Sequence, residues 1–255
     1  MSKTYFLLAQ IGCIIVMISS CAKEKEETSD DAASSSSWCK EVSSCSATPS
    51  GSITGVDNDT FSGVFSVFHV FGDNGTSGYD NTTDCVSNAT MIANLKSQMG
   101  LPTGINSLIM NNAVTSSSSF AQRINSYSDT SCSTEIATVA FGYNLTVGDD
   151  VSGLTTSGGN PSTATKVTYT QSCAAIKASS DAGATFLKTL LSSVSGIDPA
   201  VGTSYKCGVT GSTEYALWSY RDNSSLSTPS MLVEEKSSSA HPSDWSDPDH
   251  MTFIP

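Results

Sequence analysis

From Phe61 to Phe71, Phe, Val and His are interleaved with Ser, and Gly72-Asp73-Asn74-Gly75 punctuates the end, so this stretch predicts a strand. After Cys85 the period changes. Met91, Ile92, Leu95 and Met99 fall on one helical stripe, Ser87 or Asn88 can cap its start, and Gly100 with Pro102 stops it. A Ser-rich connection leads to Cys132, then Ser133-Thr134-Glu135 and an apolar strand through Phe141. The second half repeats that order. Lys166 to Thr170 alternates as a strand, Cys173 follows, and Phe186, Leu187, Leu190, Leu191 and Val194 stripe a helix over Asp181 to Ser195 that Gly196 and Pro199 end. Cys207 and Ser212-Thr213-Glu214 then open the strand Tyr215 to Tyr220. The pattern therefore predicts an α+β fold: one disulfide-bonded domain over 51–236, built from two tandem strand-helix-strand units at about 61–143 and 165–220, with a polar C-terminal tail over 237–255.

Composition narrows where such a fold works. Only 14% of the 255 residues are charged, well under the roughly 25% of ordinary soluble domains. Ser and Thr number 48 and 28, so the predicted surface is neutral and rich in hydroxyls. Twelve Lys and Arg against 24 Asp and Glu give a net charge of -12, and no window gathers a basic cluster, which argues against nucleic acid as partner.

The chain opens with Lys3, an apolar run from Tyr5 to Met17, and the small residues Ser19 and Ser20 before Cys21. This is the pattern of an export signal, and the run is shorter than the roughly 20 residues a transmembrane helix needs. Ile18-Ser19-Ser20-Cys21 resembles the lipobox of bacterial lipoproteins. The resemblance covers only these first residues. It implies removal of 1–20 as a signal peptide, diacylglycerol on the Cys21 thiol, and a further acyl chain (such as palmitate) on the new amino group, a stable membrane anchor. Ala22 and Lys23, with no Asp after the Cys, suit the outer membrane in the enteric pattern. An ordinary cleaved signal would instead leave Cys21 as a thiol. Residues 21–50 then read as the lipidated Cys and a flexible acidic and Ser-rich tether.

Export agrees with the cysteines. Beyond Cys13 and Cys21, six remain: Cys39, Cys45, Cys85, Cys132, Cys173 and Cys207. An even number in an oxidising compartment predicts three disulfides, with fifteen connectivities open. Metal binding competes with this, but the spacing offers no CxxC. Duplication would join Cys85 to Cys132 and Cys173 to Cys207, leaving Cys39 and Cys45 as a local loop.

Candidate chemistry is sparse, and no cofactor or metal motif is present. No GxSxG, GxxxxGK[ST] or HExxH occurs. His69 reads as a core or edge histidine of the first strand. Glu135 and Glu214, in equivalent places of the repeat, are the one conceivable acid and base pair. Asp57-Asn58-Asp59 and Asp73, Asn74, Asp80 and Asp84 offer oxygen ligands of the kind calcium takes, though turns favour the same residues. Asp244, Trp245, Asp247, Asp249 and His250 form an acidic tail cluster, either solvated or partner-binding. Six N-x-Ser/Thr sequons carry no expectation of glycosylation in a bacterial lipoprotein. The expected function is a lipid-anchored cell-envelope binding module for a protein or glycan, not an enzyme. A tethered hydrolase and a transporter-associated solute-binding protein are the alternatives.

Overall fold

The computed structural model describes residues 39–41, 45, 48–56, 59–66, 85–99, 103–157, 160–191, 198–207, 213–222, 230–246 and 248–254. In β8 (Thr163–Ala178) the run Thr165-Lys166-Val167-Thr168-Tyr169 buries alternate positions, as a strand with one covered face must. The other strands are β1 (Cys39–Glu41), β2 (Ser52–Val56), β3 (Asp59–Ser62), β4 (Val64–Ser66), β5 (Ser107–Ser116), β6 (Ser119–Tyr127), β7 (Glu135–Ser152), β9 (Ser204–Cys207), β10 (Thr213–Asp222), β11 (Ser230–Ser237) and β12 (Asp249–Ile254). Two helices are described, α1 (Ala89–Met99) and α2 (Asp181–Leu190).

The strand order corrects the α+β expectation. From β4 through β5, β6, β7, β8, β10, β11 and β12, each strand is the antiparallel neighbour of the one before it, and β12 pairs back with β4. The chain is thus mostly β, a strongly curled, barrel-like meander, and among the described residues no strand-helix-strand unit repeats. The helices lie where their stripes place them, but as insertions, α1 between β4 and β5 and α2 between β8 and β9. β9 pairs with the far half of β8, from Ala174 to Lys177, and β1 pairs with β9.

Both helices start at polar caps. Asn88 Oδ1 accepts the amide of Thr90, and Ser180 Oγ that of Gly183. A Cβ at Gly183 would meet the Ile136 carbonyl at 2.0 Å, so only glycine lets α2 sit this close to β7. Phe186, Leu187 and Leu191 of the helical region join the barrel core beside Ile136 and Ile176. Across another end, the β2–β3 hairpin touches β5, β7, β8 and β10. It buries Ile53, Val56 and Phe61, each worth about 1.5–3 kcal/mol of transfer free energy.

Two disulfides are described. Cys85–Cys132 bonds as the sequence pattern suggests, whereas Cys45 bonds Cys173. The expected Cys39–Cys45 and Cys173–Cys207 pairs are therefore both overturned. The loop presenting Cys132 is organised by Asp129, which accepts the amides of Ser131, Ser133 and Thr134. Those bonds, led by that from Ser133, hold the Asp129 carboxyl far below the usual carboxylate range.

Folded structure also extends beyond the expected limits at both ends. β1 and the bonded Cys45 lie within 21–50, and 237–255 contains β12, which closes the strand ring. Ahead of β12, Trp245 packs with Leu154, Ala164, Leu217 and Val233 in a second, smaller core, its indole N–H donating to the Pro161 carbonyl at 2.7 Å.

Candidate functional site

Register settles which side chains share the barrel interior. Tyr169 of β8 faces Glu214 of β10, and Trp218 of β10 faces Glu234 of β11. Residues two apart lie on one face, so β8 turns inward Val167, Tyr169 and Gln171; β10 contributes Trp218, Ala216 and Glu214; and β11 contributes Glu234 and Lys236. Along β8 and β10 the inner face changes from apolar to polar towards the same end, where β11 presents charge.

At the centre stands Glu234, only 4% exposed. Its Oε1 accepts from the Trp218 indole N–H at 2.8 Å and from the Tyr169 hydroxyl at 3.0 Å, while its Oε2 lies 3.8 Å from Lys236 Nζ. Burial, then the adjacent Glu234 charge, pushes the Tyr169 hydroxyl well above its ordinary range, so it stays a donor. The rings below are mutually packed: Phe120 stacks on Tyr143 at 4.8 Å and meets Tyr169 edge-on at 5.2 Å and Trp218 at 5.6 Å.

Glu214 and Gln171 complete the patch. Among the described residues the Glu214 carboxylate accepts no hydrogen bond, and burial raises its pKa; Lys236 pulls it down and Glu234 pushes it up again. Gln171 is 6% exposed and its amide has no hydrogen-bond partner among the described residues. It lies two residues beyond the partner of Glu214, a diagonal placement of roughly 7 Å between Cβ atoms. It also faces Tyr143 across β7 and β8, where a bulge accommodates Ser172. The wall changes partners here: β8 pairs with β10 as far as Thr170 and with β9 from Ala174.

Of the sequence candidates among the described residues, Glu214 alone enters this cluster. Glu135 accepts from Asn125 at 2.6 Å and from Ser179, tying β6 and β7 to the entry of α2. Burial pushes its pKa up, but those bonds, Thr138 and the Arg123 charge outweigh it, and the net shift is downward. Ser179 and the Tyr169 that faces Glu214 are ten residues apart along the chain, roughly 30 Å of strand. The two carboxyls of a glycosidase stand within about 10 Å of each other. Glu135 and Glu214 are therefore not an acid and base pair.

His69, Asp57, Asn58, Asp73, Asn74, Asp80, Asp84 and Asp247 lie outside the described residues. Asp244 binds Thr155 through its backbone N–H at 2.7 Å and its hydroxyl, so with Trp245 it fastens the C-terminal segment to the outer wall. Asp249 and His250 occupy the first two positions of β12. Among the described residues, no three His, Cys, Asp or Glu side chains converge as metal ligands would. Glu234, Lys236 and Gln171 were missed from sequence: the available signal was a polar residue at an even spacing from an aromatic on one strand, two positions from Tyr169 to Gln171 and four from Trp218 to Glu214. No protein-family model matches the chain, and no curated protein matches it either.

Proposed function

We propose that this chain is a lipid-anchored protein of the bacterial cell envelope whose barrel binds a glycan, taking a sugar unit against Gln171, Glu214 and the half-buried Tyr143. The observation that carries the binding half is the Gln171–Glu214 pair. Neither side chain is tied to a protein hydrogen-bond partner among the described residues, and neither is sealed from water, so both polar groups stay open to an incoming ligand. A carboxylate acceptor, an amide that both donates and accepts, and an aromatic edge match the alternating hydroxyls and C–H faces of a sugar. An eight-stranded barrel is wide enough to hold one small ligand. The anchoring half rests on Ile18-Ser19-Ser20-Cys21 and is supported by two disulfides, the mark of an oxidising compartment. The outer membrane is the proposed location.

Two experiments test the halves separately. Labelled palmitate should enter wild type and not Cys21→Ala, and the variant should leave the membrane fraction; unchanged retention overturns the anchor. Titration with a panel of neutral sugars and small amines should show sugar binding to wild type that Gln171→Leu and Glu214→Gln each weaken at least tenfold. Equal binding by all three proteins, or binding of amines alone, overturns the glycan reading.

A further inference from the structure

We propose that Cys39 and Cys207 form a third disulfide, joining β1 to β9 where the tether enters the fold. The two residues are direct Cα partners in the antiparallel register of β1 and β9, flanked by Lys40 opposite Lys206 and Glu41 opposite Tyr205. Opposed residues of such a pair have Cα atoms about 4.5–5.5 Å apart, inside the roughly 4.4–6.8 Å that a disulfide spans. Directly opposed residues also share a face of the sheet, so the pairing needs no backbone movement.

The other cysteines of the body are committed. Cys45 is bonded to Cys173 and Cys85 to Cys132. Cys173 is near Cys207 in the sheet but at the wrong phase. Cys207 is opposite Ala174, and adjacent strand residues fall on opposite faces, so Cys173 and Cys207 are on different sides of the wall. The same register that permits Cys39–Cys207 thus excludes Cys173–Cys207.

The bond has a mechanical consequence. β1 is three residues long and has one neighbour among the described strands, β9, so its hydrogen bonds alone would peel under a pull from the amino-terminal side. A covalent link at Cys39 transfers that pull to β9 and through it to β8, whose pairing with β7 is the longest in the barrel wall. This consequence rests on the anchored, exported reading above.

Formation is a two-electron oxidation. Both thiols lose their protons, one sulfur–sulfur bond forms, and the electron pair reduces the disulfide of an envelope thiol-disulfide exchange protein to a dithiol, through a mixed disulfide.

Trypsin separates the candidates cleanly. Cleavage after Lys25 and Lys40 isolates Cys39 in peptide 26–40, apart from Cys45 in 41–96, and cleavage after Lys206 and Arg221 isolates Cys207 in 207–221. The full-length protein, extracted from membranes with free thiols blocked, should yield a 26–40/207–221 cross-link that reduction splits. Cys39→Ser should expose one newly alkylated thiol, at Cys207, and Cys39→Ser/Cys207→Ser none. Alkylation of Cys39 or Cys207 in unreduced wild type, with the other two bonds intact, overturns this proposal and leaves export standing. A cross-link from Cys207 to 167–177 also overturns it. Six alkylated body cysteines would overturn the export reading together with it.

Discussion

The two ends of the barrel interior are built on the same strands and filled by opposite chemistry. Towards the β2–β3 hairpin, Phe61, Phe65, Phe120 and Trp218 pack ring against ring, with Phe61 5.8 Å from Phe65 and 6.3 Å from Trp218. A few residues further along β8, β10 and β11 stand Gln171, Glu214 and Lys236. The apolar end accounts for itself by burial. The polar end does not, because a charged cluster is rarely more stable than an apolar filling of the same volume. Glu234 sits at the boundary and belongs to both: its hydrogen bonds satisfy the one polar atom of Trp218, and its charge acts on Glu214.

That division can be broken experimentally, most severely at the aromatic end. Trp218→Ala removes a side chain 4% exposed and should cost about 3–5 kcal/mol in denaturant unfolding. A loss under about 1 kcal/mol would show that the rings are not the core. Next is the boundary. Glu234→Leu leaves the Trp218 N–H and Tyr169 O–H without their acceptor and should cost about 2–5 kcal/mol, whereas Glu234→Gln, which keeps an acceptor, should cost less than half as much. Equal losses would show that charge, not acceptance, is what the boundary requires.

Smaller effects separate the two sequence-equivalent glutamates by sign. Glu135 has a lowered folded pKa, so its stabilising contribution is present above the ordinary carboxylate range and is lost as pH falls through the folded pKa. Glu135→Gln should therefore lower the unfolding free energy at neutral pH by roughly 1 kcal/mol after allowance for its partial exposure, with a lower melting temperature, and the difference should shrink in acid. Glu214 has a raised folded pKa, so its contribution is favourable below the ordinary range and is lost as pH rises through the folded value. Glu214→Gln should slightly raise the melting temperature at neutral pH and leave it unchanged below about pH 4. If the two variants moved together, the environments assigned to these carboxyls would be wrong.

The helices were legible because their signals are local. Ser180 and Asn88 cap, and the stripes around Ile92 and around Leu187 follow the helical period. The strands between 107 and 127 were not. Asn112 and Gln122 face inward across β5 and β6, where their side chains bond each other at 3.2 Å, and so they interrupt the apolar alternation that marks a strand. A stretch read as a Ser-rich connection is consequently two full strands of the wall. The tail was misread for a related reason: Trp245 and Met251 bury against residues far back in the chain, and their polar neighbours mask this.

The amino-acid order by itself determined the local and the additive: two capped helices, a charge-poor acidic chain, an even set of body cysteines, and an amino-terminal segment resembling a lipoprotein signal. Each depends on residues within a turn or two of one another, or on simple totals. Only the tertiary structure decided that β12 returns to β4, that Cys45 meets Cys173 across 128 positions, and that Glu214 rather than Glu135 joins Glu234 inside the barrel. Strand pairing is a contact between segments remote in sequence, and a shift of one residue in register exchanges the inner and outer faces. Which carboxylate enters the interior is therefore a property of the closed sheet and not of the segment that carries it.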